Sequence, residues 1–260
     1  MFSKFLTSAA LIALCVASSG FVRGAEDASL EAKTDVNPEA KPEPKPESKP
    51  TGIVPSAKPE EVELSKPDAD GWVSLFDGKT FTGWYGDPKV WRLENGYISG
   101  KIGSTPTNTF LIFNHPFSNF VLEAKCMLIK GKGFTNSGIQ YRSTVTKPEK
   151  WMVHGYQADM GDEFWGANYE EGMRGLLWSP APDALKAVKP FNEWNTYVIT
   201  CDGINIKQEL NGVVSGQLAD KSPQRQLSGI IALQYHAPGK DFETRFKDIR
   251  IKILPDTEVK

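Results

Sequence analysis

No tryptophan or tyrosine occurs before Trp72, although the 260-residue chain has seven of each. Large aromatic side chains supply much of the area a core buries. The first 71 residues are therefore poor material for a domain, and the fold must come from Trp72 onward. Hydrophobic residues make up 40% and charged residues 24%, which is ordinary for a globular protein and too polar for a multi-span membrane protein. A formal net charge of −2 gives no footprint for nucleic acid, whose binders usually carry a clustered basic face.

The leading part divides in two. Residues 1–24, MFSKFLTSAALIALCVASSGFVRG, have a basic start at Lys4 and an apolar stretch from Phe5 to Ala17. That stretch has the length of an export-signal core and is too short to span a bilayer comfortably. Val22 and Gly24 suit the −3 and −1 positions, so cleavage is expected after Gly24, with a site nearer Ser19 and an uncleaved anchor as alternatives. Cys15 suggests a lipid attachment, but Leu14 before it is bulky where a small residue is needed. Removing Lys4 and Arg23, and no acid, takes the balance to 28 basic against 32 acidic residues, a net charge of −4. Residues 25–70 form the second part. NPEAKPEPKPESKP and its continuation repeat Pro, Lys and Glu, a composition that cannot offset its ordering entropy. This segment is expected to be a disordered, partly polyproline II linker, either a tether or a solvated leader.

Residues 71–256 are expected to be the folded domain, a length suited to a single core. FVLEAKCMLIKG, SGIQYRS, GYQADMG, NTYVITCDG, INIKQELNGVV, GIIALQYHA and TRFKDIRIKIL are short β-type runs bounded by Gly, Pro, Asn or Asp. Only PDALKAVK offers helical periodicity. The pattern predicts an all-β antiparallel sandwich or jelly roll, and no repeat of solenoid or propeller length occurs. Cys126 and Cys201 fall inside strand-like runs and read as buried free thiols, with a disulfide as the alternative. The scattered histidines and cysteines have no zinc-site spacing.

Side chains two apart on a strand share a face. Gln140 with Arg142, Gln157 with Asp159, and Gln234 with His236 therefore form polar pairs on three strands. A concave sheet could gather them into one groove; the competing reading is the polar solvent face of any one-sided antiparallel sheet. Trp151, Trp165, Tyr169 and Trp178 lie in or beside glycine-containing loops and suit the apolar faces of sugar rings. Trp72, Trp84 and Trp194 read as core.

The strings GWVSLFDGKTFTGW, VWRLENGYISG, NSGIQYR, GYQADMG, FNEWNTYVITCDG, QELNGVV, GIIALQYH and FKDIRIKIL occur in this order. Across about Gly71 to Leu254 the chain resembles the domain-of-unknown-function 1080 family, whose members are described as 3-keto-glycoside lyase/hydratases or 3-keto-disaccharide hydrolases. The resemblance implies a concanavalin A-like jelly roll, bacterial export to the periplasm or exterior, and a glycoside or oligosaccharide substrate oxidised at C3.

A ketone at C3 acidifies C2–H, so a base can form an enolate that expels the C1 oxygen and leaves a 2-hydroxy-3-keto-glucal, to which water can add. In that chemistry Asp159 is the expected base and His236 the alternative, Arg142 suits the enolate oxygen, and Glu170 suits the acid. Gln140, Gln157, Gln234, Trp165, Tyr169 and Arg174 are the expected substrate contacts. A divalent cation held by Asp159, Glu170 or His236 is an alternative electrophile. A retaining glycosidase needs two carboxylates about 5 Å apart, whereas the strand Tyr156–Met160 carries one acid, with Gln157 where a nucleophile would stand. Asp162 and Glu163 come next, in a loop, and read as solvated or ion-binding. The competing functions are a non-catalytic carbohydrate-binding module on a tether and a structural envelope domain.

Overall fold

In the run FVLEAKCMLI, Phe120, Leu122, Ala124, Cys126 and Leu128 are buried while Val121, Glu123 and Lys125 between them are partly exposed. That period of two is a strand with one face on a core. The structure, a computed structural model, describes residues 52–103, 105, 107–237 and 241–255. The expected signal segment 1–24 and residues 25–51 of the expected linker lie outside the described residues.

Fifteen strands are described. The first five are β1 (Trp72–Ser74), β2 (Trp84–Tyr85), β3 (Trp91–Glu94), β4 (Tyr97–Lys101) and β5 (Thr109–Phe117). Then come β6 (Phe120–Ile129), β7 (Ser137–Lys147), β8 (Met152–Met160), β9 (Asn168–Glu171) and β10 (Gly175–Trp178). A short helix, α1 (Pro182–Ala187), precedes β11 (Asn195–Asp202), β12 (Asn205–Leu210), β13 (Val213–Ala219), β14 (Gly229–Tyr235) and β15 (Glu243–Ile253). One sheet runs β13-β12-β11-β6-β15-β4-β3, with β1 also paired to β15, and the other runs β10-β9-β8-β7-β14-β5-β2. Every pairing between these strands is antiparallel. The jelly-roll sandwich read from the sequence is the fold. Among the described residues no helix is long and apolar enough to cross a membrane.

The core lies between the sheets, with Leu122, Phe246 and Ile251 from one side and Leu111, Ile139, Tyr156 and Leu233 from the other. Cys126 and Cys201 are both free and buried. Burial raises both thiols, that of Cys201 to about 12. Trp84 is core, but Trp72 and Trp194 are only partly buried and lie beneath Arg250 and Lys247 of β15.

The linker boundary expected at residue 70 differs from the structure. Residues 52–70 lie along the domain: Ile53 bridges to Leu93 and Ser56 to Tyr85, and Val62 and Leu64 pack against the core. The carbonyls of Ala57 and Glu60 accept from Trp151 Nε1 at 2.9 Å and Asn114 Nδ2 at 2.8 Å. Composition misled because a buried proline, Pro55, two apolar side chains, Val62 and Leu64, and a few main-chain bonds suffice when finished sheet edges supply the rest.

Arg142 also departs from expectation. The β7–β8 ladder shifts register between Tyr141 and Thr144, and Arg142 has φ +45°. This bulge turns the side chain off the face of Gln140. The buried guanidinium donates to the carbonyls of Ser118 and Gly203, each at 2.8 Å, and to Asn119 Oδ1 at 3.1 Å. Gly155 opposite has φ +143°, and a side chain there would strike Ser143. Beyond the bulge the hairpin tip folds over β14 to reach β5, where the Phe110 amide donates to the Trp151 carbonyl at 3.1 Å. Val145, Trp151 and Val153 of that tip pack with Tyr85, Phe110, Ile112 and Ala232 in a second apolar cluster.

Removing a buried donor strands its acceptors at about 1–3 kcal/mol each. Arg142→Met should therefore lower unfolding free energy by about 2 kcal/mol or more in a urea titration, and Arg142→Lys should recover little of it. Unchanged stability in both variants would contradict the structural role given to Arg142.

Candidate active site

Register defines one face across five strands. Tyr169 pairs with Gln157, Gln157 with Gln140, and Gln140 with Ala232, which pairs with Ile112. Asp159 pairs with Gly138, and Gln234 with Phe110. This is the sheet surface turned away from the main core, and the folded-back hairpin tip covers its β5 side. The uncovered part holds a cleft of about 290 Å³, lined by Asn108, Phe134, Asn136, Gln157, Asp159, Phe164, Tyr169, Glu171, Gly172 and His236.

The floor is a directional chain of amides. Ser143 Oγ donates to Gln140 Oε1 at 2.6 Å, Gln140 Nε2 to Gln157 Oε1 at 2.9 Å, and Gln157 Nε2 to Asp159 Oδ1 at 3.4 Å. Gly138 permits this, since a Cβ there would lie 2.5 Å from Gln157 Cδ. Asp159 Oδ1 also accepts from Asn136 Nδ2 at 2.9 Å and from the Met160 amide at 3.0 Å. All three donors reach one oxygen, and Asp159 Oδ2 accepts no hydrogen bond from the described residues. Burial pushes the Asp159 carboxyl up to about 7, helped by the Glu171 charge and opposed by the donors Asn136, Met160 and Gln157. Glu171 is raised by burial against the pull of Asn108, which donates to Glu171 Oε1 at 3.1 Å, and of His154. His236 is lowered by burial, so its imidazole is neutral at neutral pH.

Of the residues named from the sequence, Gln157, Asp159, Tyr169 and His236 line the cleft. Gln140 lies in its floor, one hydrogen bond behind Gln157. Gln234 shares the face and is fully buried, with neither amide atom partnered among the described residues. Arg142, Glu170, Arg174 and Trp165 are elsewhere. Glu170 pairs in register with Tyr156, so its side chain turns toward the main core. There it is fully buried against Arg174, which also binds Asp220 at 2.6 and 3.0 Å. Burial alone would raise the Asp220 carboxyl, but Arg174 and Tyr156 outweigh it and hold it at about 2. Trp165 stacks on Tyr197 with centroids 6.4 Å apart and is core. With Glu170 facing away, the trio expected to hold a divalent cation is split, and among the described residues no cluster of three His, Cys, Asp or Glu is placed to bind one.

Glu171, Asn136, Asn108, Phe134 and Phe164 were not singled out from the sequence. Alternation could have found two of them: Asn136, Gly138 and Gln140 share parity, as do Tyr169 and Glu171. The adjacent acids Glu170 and Glu171 cannot be told apart without the β8–β9 register. A separate cavity of about 330 Å³ beside Val62, Leu64 and Phe113 contains Asp77. The Asp77 carboxylate there is taken up by Thr80 and the Lys79 amide.

Residues 71–252 match the family described as 3-keto-alpha-glucoside-1,2-lyase-like domain. A protein of Bacteroides thetaiotaomicron named 3-keto-disaccharide hydrolase is 33% identical over 152 residues, covering 49% of this chain and 51% of its own. The chain thus spans about half the length of that curated relative. Among solved structures, a Parabacteroides distasonis protein described as a glycosyl hydrolase is 23% identical, with TM-score 0.55, over 72% of this chain and 95% of its own. The carbohydrate-binding module CBM66 from Bacillus subtilis is 16% identical, with TM-score 0.50, over 65% of this chain and 95% of its own. These two likenesses establish the fold.

A carboxyl whose folded-state pKa is raised contributes stability at low pH that is lost as pH rises toward the folded value. Asp159→Asn keeps an acceptor at Oδ1 and removes the buried charge. Its melting temperature should exceed that of the wild type at pH 8, and the gap should shrink as pH falls from 7 to 4. A gap independent of pH would refute the assigned environment.

Proposed function

The chain belongs to the family of 3-keto-alpha-glucoside-1,2-lyase-like domains, and on that premise we propose that the Asp159 cleft cleaves glycosides oxidised at C3 by elimination across C1 and C2. Asp159 Oδ2 takes the C2 proton, and the electron pair moves into the C3 carbonyl as an enolate. Collapse of the enolate forms the C1–C2 double bond and breaks the C1–O bond, while the Glu171 carboxyl gives its proton to the departing oxygen. The products are an alcohol and a 2-hydroxy-3-keto-glucal. In rehydration Glu171 takes a proton from water as its oxygen adds to C1, and Asp159 returns the proton to C2, so the net reaction is hydrolysis. Neutral His236 serves as donor to the C3 oxygen.

The observation that carries this reading is Asp159 itself, a buried carboxyl raised to about 7 with one oxygen fixed by three donors and the other without any among the described residues. A base titrating near operating pH has the best match of ionised fraction and basicity. Arg142 and Glu170 have no part in it, because both are engaged on the far side of the sheet. Export by residues 1–24, with residues 25–51 as a tether, completes the proposal.

Wild-type protein should release the aglycone from a 3-keto-glucoside with transient enone absorbance. The active form is the singly protonated Asp159–Glu171 pair with its proton on Glu171, and because the pair loses its last proton near pH 7, kcat/KM should fall through about pH 7 and fall again in acid as both carboxyls become protonated. Asp159→Asn should lower turnover by about 10²-fold or more. Glu171→Gln should impair sugar leaving groups far more than nitrophenyl ones, which need no acid. Sugar binding without release would favour a carbohydrate-binding function, and full turnover by Asp159→Asn would refute the base.

A further inference from the structure

The cleft of about 290 Å³ falls just below the roughly 300–1,000 Å³ of pockets that enclose a whole drug-sized ligand. It accommodates one sugar ring and leaves the remainder of a glycoside at the mouth. At that mouth stands Phe134, 48% exposed although it lines the cleft. Its ring is edge-on to Phe164 at 6.0 Å and to His236 at 5.4 Å. An exposed aromatic face beside convergent polar groups is what the CH-rich side of a second sugar ring needs.

The loop that carries Phe134 is held on both flanks. Asp162 Oδ2 accepts from the Thr135 amide at 3.2 Å and pairs through Oδ1 with Lys130, whose ammonium sits 4.6 Å from the Phe191 ring centroid. Two residues beyond Phe134, Asn136 binds Asp159. The ring is therefore presented at a fixed place relative to the reacting carboxylate, and little ordering is needed when a ligand covers it. Across the mouth, Leu176 is also exposed and pairs in register with Tyr169, but it is aliphatic and offers no ring.

We propose that Phe134 is the platform of a second subsite, for the leaving-group half of the substrate, and that it selects glycosides whose aglycone is another sugar ring. This inference rests on the reading of the Asp159 cleft as the place of glycoside cleavage.

The test compares 3-keto-trehalose with methyl 3-keto-α-glucoside, which share the oxidised ring and differ in the leaving group. Phe134→Ala should lower the ratio of kcat/KM for the disaccharide to that for the methyl glycoside about tenfold, as for loss of one aromatic contact. Phe134→Leu, which keeps apolar bulk without a ring, should also lower it, and Phe134→Trp should restore it. An unchanged ratio in the Ala and Leu variants overturns the proposal. If wild-type protein cleaves neither compound, the lyase reading fails, and the same ratio is read as affinities by calorimetry. A fall in the affinity ratio then supports the platform, while an unchanged ratio, or no binding of either compound, overturns it.

Discussion

The bulge at Arg142 and Ser143 is the constraint on which the rest of the site depends. One extra residue in β7 bends the β7–β8 hairpin, and the bent tip covers the β5 side of the outer sheet face with Trp151 and Val153. The part left open is a cleft rather than a flat solvated sheet. The same bulge sends the Arg142 guanidinium to turns that precede β6 and succeed β11, so it ties the two sheets together. It also sets Ser143 at the head of the amide chain that ends on Asp159. Fold cohesion, cleft shape and the floor of the site share one local irregularity.

Alternation made the strands and the two-layer architecture legible. The runs around Phe120–Ile129 and Asn195–Asp202 bury every second residue, as their sequences imply. Parity also placed Gln157, Asp159 and Gln140 on one face. It failed at Arg142 because a bulge shifts parity by one and leaves no mark in residue types. It failed at Glu170 and Glu171 because only pairing with β8 decides which acid faces the cleft. Phe134 and Asn108 sit in loops, where no period applies. Trp165 stood among candidate sugar contacts on composition alone, and its ring packs on Tyr197.

The neighbouring acids of β9 show how strongly direction governs chemistry. Glu170 is spent on Arg174, which also gathers Asp220 and Tyr156 and so secures β9 against the loop after β13. Glu171, one residue on, meets Asn108, and its charge adds to the field that raises Asp159. The first is compensated charge in a structural clasp. The second is a carboxyl raised by burial on the wall of the cleft.

The segment from Gly52 to Asp70 has a consequence for the size of the domain. Family likeness begins at residue 71, yet Ala57 accepts the Trp151 indole N–H, Ser56 binds the Gly86 amide, and Val62 and Leu64 lie against the core. A chain beginning at Gly71 would bare the indole of Trp151 and the edge of β2, beside the same hairpin tip that shapes the cleft. The unit of ancestry and the unit of folding therefore differ in length, and the additional stretch acts as an outer buttress of the wall of the cleft.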